Sequence, residues 1–413
     1  MKRWQWIVLT ILLLLVALVG LLLHDEPLDP QAQAWLEPPA VGAESAAYYQ
    51  LMGLDAGAGQ DPQVVGRARL QAHRQWRTAH RFDDLLTAAA VERIELPREP
   101  LCMFGEPDCL PRLRGDRARL AELATRHGEL LRRYEHLLAL NDFRSLSQPS
   151  MDEPLANAVA LDHANRLRAV QALALAEDGR GAEALALLQW DVHLLRQWLA
   201  RADTVILKML LVRQLGSHLD ALAALYRTGL VPRPETQPAL SEAEHSLEVA
   251  MQREFALVGG GMLTMTDNPQ MAAALKGLLH LMYKPHMTVN DMLPDYRQIA
   301  ARSHLDAPTF AHTLERSMRD TPSLWRRARN PVGGILGGIA MPDFNPYLAR
   351  LHDLDAKLGL FNALGQTVPE ADSPYRPGHQ ARWNNMRQAY CFSGPLTDGL
   401  YVRCLPWAPP PAG

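Results

Sequence analysis

The longest apolar run in the chain comes first. From Trp4 to Leu23 no residue carries a charge. At about 1.5 Å per residue a helix over this run reaches roughly 30 Å, the thickness of a bilayer hydrocarbon core. Lys2 and Arg3 precede it and Asp25, Glu26 and Asp29 follow it. Basic residues are retained on the cytoplasmic side, so the pattern predicts a single transmembrane helix with its N-terminus inside. Trp4 and Trp6 stand where interfacial aromatics anchor such a helix. A cleavable signal peptide has a shorter apolar region ending in a small-x-small site. Leu22-Leu23-His24-Asp25-Glu26 offers no such site, so the reading is an uncleaved signal-anchor.

Beyond the anchor the apolar positions recur with helical period. Leu120, Leu123, His127, Leu130, Tyr134 and Leu137 are spaced 3, 4, 3, 4, 3 and predict one amphipathic helix, with His127 a buried core histidine. Tyr347, Leu351, Leu354, Leu358 and Phe361 do the same, ending at Gly365. Asp61-Pro62 starts a helix to about His80, followed by a weaker one over 81–94. Leu167–Leu199 reads as two helices meeting at Asp178-Gly179-Arg180-Gly181, and Asp203–Tyr226 as a third. Ser241-x-x-Glu244 forms a capping box for a helix to about Val258, with Gly259-Gly260-Gly261 ending it. Asn330-Pro331 caps VGGILGGIAM, whose paired glycines suit close helix packing. A membrane-touching or partner-binding face and a phosphate loop stay open as alternatives there. The predicted fold is mainly α: a cytoplasmic stub (1–3), the anchor (4–23), a loop-like spacer (24–43), a helical subdomain of hairpins or a bundle (44–230), and a second helical subdomain with a C-terminal β-hairpin (239–413). The proline-rich stretch from Leu230 to Pro238 marks the boundary.

The cysteines are Cys102, Cys109, Cys391 and Cys404. All follow the anchor, on the side where disulfides persist. Locality pairs Cys102 with Cys109 and Cys391 with Cys404. The second pair gains support from two short strands, Tyr390–Ser393 and Tyr401–Cys404, around the turn-rich GPLTDG; centring the hairpin on Leu396-Thr397 sets Cys391 opposite Cys404. Zinc spacing of two to four residues between cysteines is absent, as is C-x-x-C.

Charge narrows the partners. There are 42 basic and 45 acidic residues, net −3, with no basic run, which disfavours nucleic acid. The lysines are Lys2, Lys208, Lys276, Lys284 and Lys357; the remaining positive charge is arginine. With abundant Ala, Leu, Gly and Pro this suggests a GC-rich bacterial gene, hence an inner-membrane protein facing the periplasm.

The turn EDGRGAEALALL resembles a tetratricopeptide-type helical hairpin, although no second copy follows at that period. The tail SPYRPGHQARWNN is similar to tails of bacterial secreted proteins, without the proline expected after Gly378. Taken whole, YYQLMGLDAGAGQDP, LLRQWLARADTVILKM and NPVGGILGGIAMPDF resemble a set of uncharacterised, membrane-anchored, mostly helical proteobacterial proteins. That resemblance implies a fold and a location but no activity.

The richest polar segment, 276–312, holds His280, His286, His304, His312, Asp291, Asp295, Tyr283 and Tyr296. It lacks H-E-x-x-H and H-x-x-x-H spacing. G-x-S-x-G and S-x-x-K are absent from the chain. Asp353 and Asp355, two apart, point to different helix faces. No catalytic, cofactor or metal residue is assigned, and no cofactor is expected. The expected role is protein interaction or scaffolding, with the bilayer and an envelope protein as partners. The alternatives are an anchored periplasmic hydrolase with a His/Asp site in 276–312, and a small-ligand sensor that signals through another membrane protein.

Overall fold

The computed structural model describes residues 3–37, 44–79, 92–98, 101–267, 271–314 and 323–409. The expected helix over 81–94 falls almost wholly outside them. The apolar run expected to be an anchor forms one helix, Arg3–Leu23, and Trp4–Leu23 is long and apolar enough to cross a membrane, with none of its apolar window buried in the protein.

The segment expected to be a loop-like spacer is folded in its described part. Asp29 accepts from the Gln31 N–H (2.7 Å) and caps the helix Pro30–Leu36, whose fixed proline φ suits the first turn. That helix packs on Glu248–Thr264. Gly259 explains why: a Cβ there would lie 2.7 Å from the Leu36 side chain. The glycine triplet therefore sits inside the Glu248–Thr264 helix and does not end it.

The centre is a three-helix unit. Ala158–Glu177 and Gly181–Arg201 form the expected hairpin, turning on Gly179 at φ +79°. Gly181 is needed for a second reason: a Cβ there would lie 2.2 Å from the Leu230 carbonyl oxygen. Val205–Arg227, capped by Thr204, packs on both helices. Arg168, Asp191 and His218 meet between them.

Two stretches expected as continuous helices are broken. The 120–137 stripe is buried as expected, but it runs through two helices, Arg117–Arg126 and Gly128–Ala139, with His127 at the junction. The apolar period survives the break because both helices press the same side chains into one core. The Ser241–Glu244 capping box forms, but its helix stops at His245 and restarts at Glu248. Leu247 N–H donates to Ser303 Oγ (3.0 Å) at this bend, so tertiary contact takes over from the helix.

The core is continuous across the proline-rich connector. Leu230–Pro238 lies against the end of helix Asn345–Asn362, with Gln237 N–H donating to Asn362 Oδ1 (2.7 Å), and buried residues from Ala32 to Trp407 form one cluster. Asn345–Asn362 packs on Val205–Arg227, and the C-terminal strands cover both. The strands Arg382–Asn384, Ala389–Cys391 and Cys404–Pro406 form an antiparallel sheet. Cys391 pairs with Cys404 as expected, but the second strand runs over Cys404–Pro406 and not Tyr401–Cys404, so the connection is longer than a tight hairpin. Both disulfides are present, Cys102–Cys109 and Cys391–Cys404, with Cα separations of 5.5 and 4.1 Å.

VGGILGGIAM forms the helix Pro331–Ala340, capped by Asn330 and packed on Pro285–Arg302. Gly333 carries the close approach: a Cβ there would lie 2.1 Å from Thr288 Oγ1.

Candidate functional site

The bend after His245 opens a cleft of about 610 Å³ between the short helix Glu242–His245, the 303–306 turn with the start of helix Ala307–Thr313, helix Asn345–Asn362 and the chain near Asp372. Three side chains converge in it. His352 and Asp355 are three apart on one helix and therefore share a face. His245 comes from the opposite wall. The atoms of His245, His352 and Asp355 that can bind a metal lie within 4.8 Å of one another.

Each group is held. His245 Nε2 lies 2.6 Å from Asp355 Oδ2, and Asp355 Oδ1 accepts from the Leu240 N–H (2.7 Å). This second bond fixes the carboxylate as outer partners fix ligands in metal sites. The His352 ring packs 5.0 Å from those of His245 and Phe310 and 6.0 Å from Tyr375. Burial, reinforced by the neighbouring His245, pulls its pKa down to about 4, against the opposing pull of Asp355 and Asp306. His352 is therefore a neutral imidazole near pH 7, the form that ligates metals. Asp353, one residue on, turns the other way, buried against Arg350 (3.0 Å) and Arg403 (3.1 Å), as its spacing from Asp355 requires.

The arrangement matches two histidines and a carboxylate facing an open space, the set that holds a zinc-class ion with a position left free. It does not match a serine-nucleophile site. Ser303 lines the cleft, but its hydroxyl donates to Ala300 O (2.6 Å) and accepts from Leu247 N–H. A second depression, beside Lys208, offers less. Burial pulls that ammonium down to about 8, but it is already spent on the carbonyls of Ala243 (3.1 Å) and Glu244 (3.0 Å).

Of the polar residues singled out in 276–312, His304 lines this cleft, with Nδ1 3.2 Å from Glu242 Oε1. The others are spread over the molecule. His280 and His312 are exposed, and His286 sits at the anchor junction, Nδ1 3.0 Å from Glu26 O. Asp291 pairs with Arg326 (2.6 Å), Tyr283 donates to Met262 O (2.7 Å), and Tyr296 is in the core beside Phe255. Asp295 is half-buried on helix Pro285–Arg302. The sequence reading missed His245 and His352, and weighed Asp355 only beside Asp353, on a different helix face. The one local signal was the H-x-x-D spacing at 352–355.

The depressed pKa of His352 makes a pH prediction. Its unfolded value is 6.5 and its folded value about 4. Between these the unfolded chain takes up a proton that the folded chain refuses. Stability is then full above pH 6.5 and falls by roughly 3 kcal/mol as the pH drops to about 4. Urea midpoints at pH 7 and 4.5 should differ less in His352→Phe, which keeps the ring packing; an unchanged pH dependence in that variant would refute the assignment.

No protein-family model, curated protein or solved structure matches this chain, so its functional reading rests on its own residues.

Proposed function

We propose that this is a single-pass membrane protein whose helical body faces the periplasm of a bacterium and binds one divalent transition-metal ion at His245, His352 and Asp355. The observation that carries the metal reading is the meeting of His352 and Asp355, one helical turn apart, with His245 across the cleft floor. Two disulfides support an oxidising compartment. The charge order around Trp4–Leu23 supports an uncleaved anchor with the N-terminus inside. A zinc-class ion on three protein ligands keeps one position for water or substrate and acts there as a Lewis acid. The reading of the body as an anchored hydrolase accordingly moves from 276–312 to this cleft. A scaffolding role toward an envelope protein is a second reading, favoured by Trp190, 57% exposed on the central hairpin.

The test is metal binding by the full chain in detergent. After chelator stripping, titration with Zn²⁺ and elemental analysis should give one ion per chain. His352→Ala and Asp355→Asn should each weaken binding by more than about tenfold, the loss that removal of an outer partner alone can cause. Far-ultraviolet circular dichroism controls for folding. Binding that is absent from the unsubstituted chain, or unchanged by both substitutions, sinks the metal reading.

A further inference from the structure

Three short helices beside the anchor expose their apolar side chains. Ala273–Met282 has no buried residue and shows Leu275, Leu278, Leu281 and Met282, each 38–55% exposed. Leu275, Leu278 and Leu281–Met282 follow helical spacing and share one face. Pro331–Ala340 packs on this helix and exposes Ile335 (63%) and Ile339 (77%), four apart and so on one face. Leu324–Arg329 packs on Pro331–Ala340 in turn and exposes Leu324 (78%) and Trp325 (46%). Eight large apolar side chains on adjoining helices are not the scattered exposure ordinary on soluble surfaces; contiguous patches of this kind mark interaction sites.

Two observations say what covers them. The first is position. Ala273–Met282 touches the anchor helix itself. The residues just after the anchor are bolted to the same region. Asp25 accepts from the backbone N–H groups of His286 (2.9 Å) and Met287 (3.2 Å), Glu26 pairs with Arg326 (2.9 Å), and His24 O accepts from Arg329 Nη2 (2.7 Å). The patch therefore continues from the end of the apolar helix at its own level. The second is charge. Neither 273–282 nor 324–340 contains an acidic residue, while Lys276, Arg326, Arg327 and Arg329 do lie there. The three helices themselves carry cations and no acid, with Arg326 paired to Glu26 and Asp291 of the neighbouring segments, and an apolar face on helices whose own charges are basic suits the headgroup–acyl boundary.

We propose that helices Ala273–Met282, Leu324–Arg329 and Pro331–Ala340 form an interfacial foot that inserts its apolar face into the phospholipid bilayer beside the anchor. The foot rests on the reading of Trp4–Leu23 as membrane-crossing and not on the metal reading. It fixes the orientation of the body, so that the protein meets the membrane over a surface and not through one swinging helix.

The test uses the full chain reconstituted in phosphatidylcholine–phosphatidylglycerol vesicles, with the native disulfides intact. Single cysteines at Leu278→Cys, Ile339→Cys, Leu15→Cys and Trp190→Cys carry an environment-sensitive fluorophore. Nitroxide-bearing lipids should quench the labels at 278 and 339 at least threefold more than the label at 190, with shallow nitroxides more effective than deep ones. The label at 15 should be quenched best by deep nitroxides. Quenching at 15 without quenching at 278 and 339 overturns the foot and leaves the anchor. Lack of quenching at all three overturns both. Labels at 278 and 339 shielded from lipid nitroxides and from aqueous iodide alike, in a concentration-dependent way, would assign the face to a second copy of the chain and overturn the lipid assignment.

Discussion

Asp191→Ala should cost about 3–5 kcal/mol of folding stability, the range for removing one partner of a buried ion pair. Asp191 is 1% exposed and Arg168 is 4% exposed. The carboxylate takes both ends of the guanidinium, at 2.8 Å from Nε and 3.2 Å from Nη2, and lies 3.4 Å from His218. Asn165 reaches the His218 ring at 3.3 Å, and Tyr134 and Gln214 continue the chain of bonds. Burial pushes the Asp191 pKa up, but His218 and Arg168 outweigh it and hold it below its ordinary value. Its stabilising contribution is thus present above the unfolded carboxylate pKa and lost as the pH falls through the folded one. The alanine variant leaves Arg168 buried with only Gln171 (3.0 Å) and the distant Glu135 (3.7 Å). Replacing both charges, as Arg168→Met with Asp191→Leu, should recover much of the loss because no charge stays buried. Urea unfolding of the full chain in detergent, followed by circular dichroism, measures both; a single-variant loss under about 1 kcal/mol would mean the pair is hydrated and not structural.

Phe255→Ala should be comparably damaging, about 3–5 kcal/mol. Phe255 is fully buried and its ring meets Trp35 at 6.1 Å and Tyr296 at 5.5 Å, both edge-to-face. Such pairs add about 0.5–1.5 kcal/mol beyond the buried area. The ring joins three segments: the post-anchor helix Pro30–Leu36, helix Glu248–Thr264 and helix Pro285–Arg302. The variant should therefore loosen the grip of the body on the segment that follows the apolar N-terminal helix, seen as faster hydrogen exchange over 30–36 than over the central hairpin. Phe255→Leu, which leaves a smaller void, should fall between. Equal exchange in both regions would show that Phe255 is not the link.

The features legible in the sequence are those fixed by neighbours within a turn or two. The apolar N-terminal helix was legible because an uncharged run of that length suffices to mark it. The hairpin at Gly179 was legible because one residue with positive φ marks the turn. Cys391 opposite Cys404 was legible because the two cysteines lie close in the chain, although the strands are joined by a longer connection than the expected tight turn. The breaks at His127 and at Ser246-Leu247 were not legible, since apolar period continues through a bend whenever both helices share a core, and the Ser303 hydroxyl that meets Leu247 N–H lies 56 residues away.

By itself the sequence determined a mostly helical chain with an apolar N-terminal helix, two local cysteine pairs and amphipathic stripes. Each of these follows from backbone periodicity and short-range sterics. Only the tertiary structure decided that the post-anchor segment packs on the body, that the core runs unbroken past the proline-rich connector, and that His245 meets Asp355 across 110 residues of chain. Which polar groups converge depends on how helices bend and stack, and that is set by burial of the whole core and not by the spacing of the residues themselves.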